Sequence, residues 1–573
     1  MNKTSFRRRR SIYWLGCALV ILLTRADAAQ TEDPRLTAFR AALAQDYIVS
    51  TNGTLQIADL IQMVDNHKLD SAGGNQATQP YVRMQVPRYP LSEDDFVDLD
   101  TAAFRIRPDE AVVYVGPTPP KCDYFSFVTF LFVRHTNAFS EKGDWLFASV
   151  RDPLNHLLLQ TEDGPEKPFA ANTMVIFTAD HTTYRSITNI AEQAGYPASM
   201  LNAYVLPATN LFLGVDPAKK PDTLVLAIRT ANFADPIAKE NYLTNTHYGA
   251  VYRLTPKTAR ELDAMDPPAW RNRESTNEWE LIANKAPGWN VTNAMDQLRD
   301  AIISAIPNVG VTSFDSTRWF YDSQEVLKED PSLKEFHQYV AGESSDTPYL
   351  RSATPTGAAT NFSVGPNDLL VVYGVNHQAS GLATYANFAL YGDWIVSDCA
   401  AQPGDARWYP IGCNDRLWNG VVGLNSHSYV GSAAEYLPGD PNATNFLYAS
   451  IIVRGTLTAR HNGNGLVLGW SYGTLEAAEA ITGPWSAVPG ASAPTHTVAF
   501  NSAKTFYRVR LPAFSVPLAN PPDPLPSPYL FADSIPFDYP TFVGYRAYLN
   551  PATKAGPSYN NIIPDRALLF KLR

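Results

Sequence analysis

Three stretches of this sequence carry residue types that could do chemistry. The first is Gly374-Val375-Asn376-His377-Gln378-Ala379-Ser380-Gly381, followed by Thr384, Tyr385 and Asn387. A histidine in a glycine-bounded loop at a strand's end can serve as base or metal ligand near neutral pH. It can equally be a ring that hydrogen-bonds its own loop. Loops carried on a rigid sheet are where binding residues concentrate, so His377, Tyr385 and Asn387 are candidate ligand contacts.

The second stretch is Arg151-Asp152-Pro153-Leu154-Asn155-His156. Asp152, Asn155 and His156 could converge on a sugar hydroxyl or a hard metal. Asp152 before Pro153 is also a turn initiator. Asp180-His181 closes a short apolar strand, where α/β sheets place ligands, and is equally a helix-capping run. The third stretch, Gly469-Trp470-Ser471-Tyr472-Gly473, fits the G-x-S-x-G nucleophile elbow. Gly465–Leu468 would be its strand and Thr474–Ile481 its helix. An elbow needs an acid and then a histidine downstream. The only downstream histidine is His496, with no acid between it and Glu479. Ser471 is therefore a weak nucleophile candidate. No CxxC or His-x-His spacing points to zinc, no metal site is assigned, and no residue pattern identifies a cofactor.

Two similar units position the first two stretches. Asp368 to Trp394 reads as an apolar strand, a polar loop and a tyrosine-aromatic strand. Asp109 to Trp145 is a looser copy. Asp109, Val112-Val113-Tyr114, Gly116, Tyr124–Phe127 and Asp144-Trp145 echo Asp368, Val371-Val372-Tyr373, Gly374, Tyr385–Phe388 and Asp393-Trp394. The pattern predicts an internal duplication. Elsewhere Asp33-Pro34 predicts a helix through Leu43, and Ile57, Leu60, Ile61 and Val64 predict another. Thr173–Thr178 reads as a buried strand, Thr182–Ala194 as a helix ended by Gly195, and Thr223–Ile228 as a strand. Thr292 predicts a helix through Met295, Leu298 and Ile302, and Asp330-Pro331 another.

The chain has 573 residues, 45% of them apolar and 18% charged, with 44 prolines and 33 glycines. That length divides into several domains, and the composition fits a loop-rich, β-rich globular protein. Arg7–Arg10, the apolar run from Ser11 to Leu23 and Ala26-Asp27-Ala28 have the order of a cleaved secretory signal. Removing residues 1–28 takes six positive charges and one negative, so the net charge moves from −10 to −15. An acidic mature chain is a poor partner for nucleic acid or anionic membrane. The expected location is secreted or periplasmic, with no membrane association after cleavage. In that setting Cys399 and Cys413 are disulfide candidates, and Cys122 is left as a buried thiol.

Between His461 and Pro512 the character changes. Leu466–Trp470, Gly473-Thr474-Leu475-Glu476, Thr482-Gly483-Pro484-Trp485, Val488-Pro489-Gly490 and Phe506-Tyr507-Arg508-Val509-Arg510 resemble a small β-sandwich-like module found on many exported bacterial proteins. That module has no assigned catalytic role. The remainder, through Tyr124–Phe127, Phe147–His156, Tyr373–Phe388 and Phe542–Pro557, resembles a group of uncharacterised exported bacterial proteins of two-lobed type. That resemblance brings no activity, substrate or cofactor with it.

The expected fold is α+β and β-rich, with two distantly related lobes, a helical connector and an inserted β-sandwich-like module. Residues 1–28 are the signal peptide, 29–110 a helical N-terminal segment and 111–255 the first α/β lobe. Residues 256–345 are the connector, 346–460 the second lobe and 461–513 the module. Residues 514–573 are a proline-rich linker and a strand returning to the second lobe. The expected function is binding of a small-molecule or carbohydrate ligand between the lobes, through His377, Tyr385, Asn387, Asp152, Asn155 and His156. The other reading is a hydrolase, either a serine esterase through Ser471 or a metal-assisted enzyme through the histidine and aspartate loops.

Overall fold

The computed structural model describes residues 33–58, 81–91, 102–135, 144–244, 249–306, 309–319, 322–328, 342–365, 368–392, 421–453, 457–461, 465–470, 472–493, 495–499, 505–512, 527–531 and 540–571. The proposed signal, Leu60, Ile61 and Val64 of the second predicted helix, Asp393-Trp394, Cys399, Cys413, Ser471 and the Asp330-Pro331 helix lie outside them.

Asp33 accepts a hydrogen bond from the Arg35 amide, and Pro34 opens α1 (Pro34–Asp46), which buries Phe39 and Leu43. The chain then enters a sheet through β1 (Tyr47–Ala58), β2 (Tyr81–Gln85), β3 (Ala111–Pro117), β4 (Cys122–Arg134) and β5 (Asp144–Ser149). It continues with β6 (Asn172–Thr178), β7 (Leu201–Val205), β8 (Thr223–Phe233) and β9 (Ala250–Pro256). Asp180 caps α2 (His181–Gln193) by accepting from the Thr183 amide, so capping is one job of that run. Helix α2 crosses over between β6 and β7, which pair in parallel. The parallel partner of Asn172–Thr178 is thus Leu201–Val205.

The second sheet contains β10 (Gly310–Arg318), β11 (Tyr349–Ala353), β12 (Leu369–Val375), β13 (Tyr385–Gly392) and β14 (Val421–Asn425). Its remaining strands are β15 (Leu447–Val453), β16 (Tyr529–Phe531), β17 (Pro540–Tyr548) and β18 (Arg566–Lys571). The first sheet runs β5-β4-β8-β2-β1-β9-β3-β6-β7, and the second runs β14-β13-β17-β11-β10-β18-β12-β15-β16. The two orders are identical strand for strand. The small additions match as well. Ala103–Phe104 pairs with β8 as Phe362–Ser363 pairs with β17, and β15 and β16 are parallel like β6 and β7.

The duplication read from the sequence is therefore present, but its register needs correcting. Tyr114 points into the core beside Phe127, whereas Tyr373 faces the helices on the other side of its sheet. A slip of one residue reverses every side chain, so Val115, not Tyr114, is the counterpart of Tyr373. Gly116 and Gly374 do correspond.

Two expected helical regions also differ. Residues 29–110 contribute β1 and β2 to the first sheet, because Tyr47–Ser50 pairs with Arg253–Pro256 and Thr54–Ala58 with β2. Residues 256–345 do hold α3 (Glu278–Lys285) and α4 (Val291–Ala305), yet β10 within them is a central strand. Helix α4, capped by Asn290 rather than Thr292, packs Leu298 and Ile302 against Val371 and Tyr373. It precedes β10 as α1 precedes β1, so the connector is the opening of the second lobe.

The module occupies the connection between β15 and β16, where the first lobe has α2. It is two three-stranded sheets, Thr458–His461, Gly465–Gly469 and Thr495–Ala499 against Ser486–Ala487, Thr474–Ala478 and Phe506–Arg510. They close over Leu468, Trp470 and Leu475. Phe542–Tyr548 returns to the second lobe within β17, the strand expected there.

Candidate functional site

Asn376 accepts from the amides of Gln378 and Ala379, and Gly381 at φ +86° ends the single turn His377–Ser380. That turn aims the His377 ring inward, where Nδ1 lies 2.9 Å from Glu278 Oε1 and Nε2 lies 3.0 Å from Asp565 Oδ2. Ser380 Oγ and the Ile563 amide also donate to Glu278, and Tyr448 donates to Asp565. Burial pulls the imidazole down, but the two carboxylates outweigh it and raise it to about 10. The ring is an imidazolium at neutral pH with both nitrogens donating. With both ring nitrogens taken up by buried carboxylates, this arrangement gives the base or metal-ligand reading no support.

Asp152, Asn155 and His156 do not converge on one point. Asp152 accepts from the Arg271 amide at 2.6 Å and from Ser345 Oγ at 2.5 Å. Asn155 Nδ2 donates to Asp346 Oδ1 and to the Lys554 carbonyl, both at 3.0 Å. The His156 ring lies among Tyr124, Phe125 and Phe169, and burial lowers it to about 4. It is neutral and packed among aromatics. Asp152 and Asn155 tie the first lobe to residues of the second.

The nucleophile elbow finds no support in Ser471's described neighbours. The strand Gly465–Gly469 is followed by another strand, Thr474–Ala478, and not by the helix an elbow requires. Trp470 Nε1 donates to the Gly473 carbonyl across the turn at 3.0 Å.

What the fold does bring together lies along the seam between the sheets. Tyr124 on β4 and Tyr385 on β13 hold the same position in the two copies, and both rings pack against Tyr548. The Tyr124 hydroxyl is 2.7 Å from Ser126 Oγ and donates to Asp346 Oδ2 at 3.0 Å. Asn387 Nδ2 donates to the Tyr385 hydroxyl at 3.2 Å. Burial raises the Asp346 carboxyl to about 6, against the nearby Arg271 guanidinium.

Two arginines complete this region. Arg229 on β8 pairs with Ser126, and Arg546 on β17 pairs with Asn387, so they are counterparts. Both are buried. Arg229 Nη1 donates to the Tyr349 hydroxyl of the other lobe at 3.1 Å, and Nη2 donates to the Gly342 carbonyl. Arg546 lies 5.0 Å from the centroid of the same Tyr349 ring. Of the predicted site residues, Tyr385, Asn387 and Asn155 belong to this seam, Asp152 and His156 border it, and His377 faces into its own lobe.

Sequence reasoning missed Arg229, Arg546, Tyr349 and Asp346. The available signal was a lone arginine inside an otherwise apolar strand, in Thr223–Phe233 and again in Pro540–Tyr548. A second was the repeated Leu-Asn of Leu154-Asn155 and Leu424-Asn425. Each asparagine side chain accepts from the amide two residues on.

No protein-family model and no curated protein matches this chain. Among solved structures it is similar to an uncharacterised protein from Burkholderia cenocepacia, at 11% identity over 94% of this chain and 87% of that one, with a TM-score of 0.31. It is also similar to the VPA0106 protein from Vibrio parahaemolyticus, at 10% identity over 88% and 93% of the two chains, with a TM-score of 0.30. The structural neighbours are uncharacterised bacterial proteins, and overlaps this loose carry no functional argument.

Proposed function

We propose that this is an exported binding protein that takes a small-molecule or carbohydrate ligand at the seam between its two related lobes. One observation carries the reading. Matching side chains from the two copies, Tyr124 with Tyr385 and Arg229 with Arg546, meet there beside Tyr349 and Asp346. Polar groups gathered where two lobes abut are a common design for ligand sites. No described helix is long and apolar enough to cross a membrane. The hydrolase reading draws nothing from the His377 clamp or from the strands flanking Ser471.

The test uses purified residues 29–573 in a thermal-shift and native mass spectrometry screen against sugars and small metabolites. The expected result is a ligand that raises Tm and whose binding is lost in Tyr124→Phe and Tyr349→Phe. Binding indifferent to both variants would place the site elsewhere. Fluorophosphonate labelling or a stoichiometric metal in the purified protein would favour the hydrolase instead.

A further inference from the structure

Two of the chain's buried arginines are matched by carboxylates. Arg253 donates to Glu110 and Arg134 to Asp222, each within hydrogen-bond distance of a carboxylate. Arg229 is as deeply buried, yet among the described residues no carboxylate pairs with it. Its terminal nitrogens go to two neutral acceptors, the Tyr349 hydroxyl and the Gly342 carbonyl. Among the described residues its Nε has no hydrogen-bond partner. The guanidinium instead lies over the rings of Tyr81 and Phe130, each 5.3 Å from Cζ. Cation–π contact offsets only part of the cost of burying a charge. The cost rises because Arg546, a second buried guanidinium, rests on the same Tyr349 ring.

We propose that the seam is an anion site, with Arg229 as its anchor and a small organic carboxylate, best a dicarboxylate, as its ligand. The proposal rests on the reading of the seam as the ligand site and names the ligand class. The planar guanidinium edge that includes the unpartnered Nε matches a carboxylate held by two parallel hydrogen bonds. The flanking Tyr81 and Phe130 rings suit a carboxylate carried on an apolar skeleton. Arg546, against the same Tyr349, offers a second positive charge in the region. The chain's overall negative charge bears on long-range steering, not on a desolvated contact at one guanidinium.

The experiment is calorimetric titration of residues 29–573, at fixed chloride, with acetate, succinate and benzoate. Acetamide, succinamide and benzamide serve as shape-matched neutral controls, and inorganic phosphate as the alternative anion. At least one acid should bind about tenfold or more tightly than its amide, since a charge-assisted hydrogen bond is lost with the charge. Arg229→Gln should abolish that preference. Arg229→Lys, which keeps the charge but not the fork, should weaken the acid by about tenfold. If acids and amides bind alike and both are lost in Tyr349→Phe, the carboxylate class is wrong while the seam reading stands. Binding of phosphate alone overturns the carboxylate assignment. Acids that bind Arg229→Gln as tightly as wild type overturn the anion site, and the seam reading falls with it only if Tyr124→Phe and Tyr349→Phe are also without effect. Should Arg229→Gln fail to fold, the acid–amide comparison on wild type and the Arg229→Lys titration decide the matter.

Discussion

Asn232 and Leu549 stand three residues after Arg229 and Arg546, and both hold the left-handed backbone conformation, at φ 54° and 59°. The shared conformation falls at the same point of two strands, β8 and β17, that occupy the same place in two sheets. Leucine meets a steric penalty there that glycine escapes and asparagine tolerates. Its conformation is fixed by its surroundings, since the Leu549 amide donates to the Asp346 carbonyl at 2.7 Å and its carbonyl accepts from Thr384.

A reversal of the usual substitution order follows at Leu549. Leu549→Ala removes a buried side chain and keeps the strain, at a cost of about 2–5 kcal/mol. Leu549→Gly loses the same side chain but relieves the backbone by roughly 1 kcal/mol. Urea denaturation should therefore find the glycine variant at least as stable as the alanine one. At an ordinary strand position the order is opposite, and an alanine advantage here would refute the conformation assigned to this residue.

The His377 clamp sets a stability limit in alkali. A histidine raised to about 10 from an ordinary value near 6.5 binds its proton more tightly in the folded chain. Its contribution is fully present below pH 6.5 and is lost as pH rises through about 10. Thermal melts should thus show Tm falling between pH 7 and 10. His377→Gln should flatten that limb while losing about 3–5 kcal/mol at pH 6, because Glu278 and Asp565 are left buried without their cation. An unchanged alkaline limb in the variant would remove the imidazolium from the account.

His377 also marks where sequence reading stops. The loop, its glycine boundary and the strands on either side are local features, and they were legible. The partners are not local, since Glu278 lies 99 residues away and Asp565 lies 188 residues away. An isolated histidine in a loop looks the same whether it meets water or two carboxylates. The same division holds for the fold. Asp33 and Asp180 could be read as caps because a cap acts on the next turn. The strand Tyr47–Ala58 could not, because Ile57 begins a helical spacing and only pairing with β2 and β9 makes it a strand. The copy of the first sheet in the second was visible as an echo, but its register depended on which face each tyrosine buries.

The acid side carries two opposed groups at the seam. His156, held near 4 by burial, is neutral when folded, so its contribution is present above pH 6.5 and lost as pH falls toward 4. Asp346, raised to about 6 by burial, takes up its proton first in the folded chain. Its contribution is present below its ordinary value of 3.8 and is lost as pH rises through about 6. His156→Phe should therefore gain on wild type as pH falls from 6.5 to 4. Asp346→Asn should gain as pH rises from 4 to 7, by on the order of 3 kcal/mol. Parallel pH–stability curves for wild type and either variant would contradict that group's assignment.

The module replaces a helix as the crossover between two parallel strands, so the second sheet should not depend on it. Replacing residues 457–512 with a flexible linker of roughly 15 residues satisfies the length a parallel crossover needs. The remaining chain should keep a cooperative melt, with a modest loss from the contacts of Tyr472 and Leu511 against the second lobe. A shortened chain that no longer melts cooperatively would mean the module is part of that lobe's core.

Gly374 tests the clamp from the backbone side. A Cβ placed there would stand 2.0 Å from Asp565 Oδ1, while one at Gly439 would meet nothing within 4 Å. The approach matters because Asp565 Oδ2 receives His377 Nε2 and Oδ1 receives the Tyr448 hydroxyl. In Gly374→Ala the carboxylate must swing away, leaving one ring nitrogen and one phenol buried without an acceptor. The cost should reach about 3 kcal/mol, whereas Gly439→Ala should stay within roughly 0.5 kcal/mol. The same displacement removes one of the two charges that hold the imidazole protonated, so the His377 titration followed by NMR should move down from about 10 in Gly374→Ala alone. A titration that stays in place while stability falls would show that steric crowding, and not the loss of the ion pair, carries the cost.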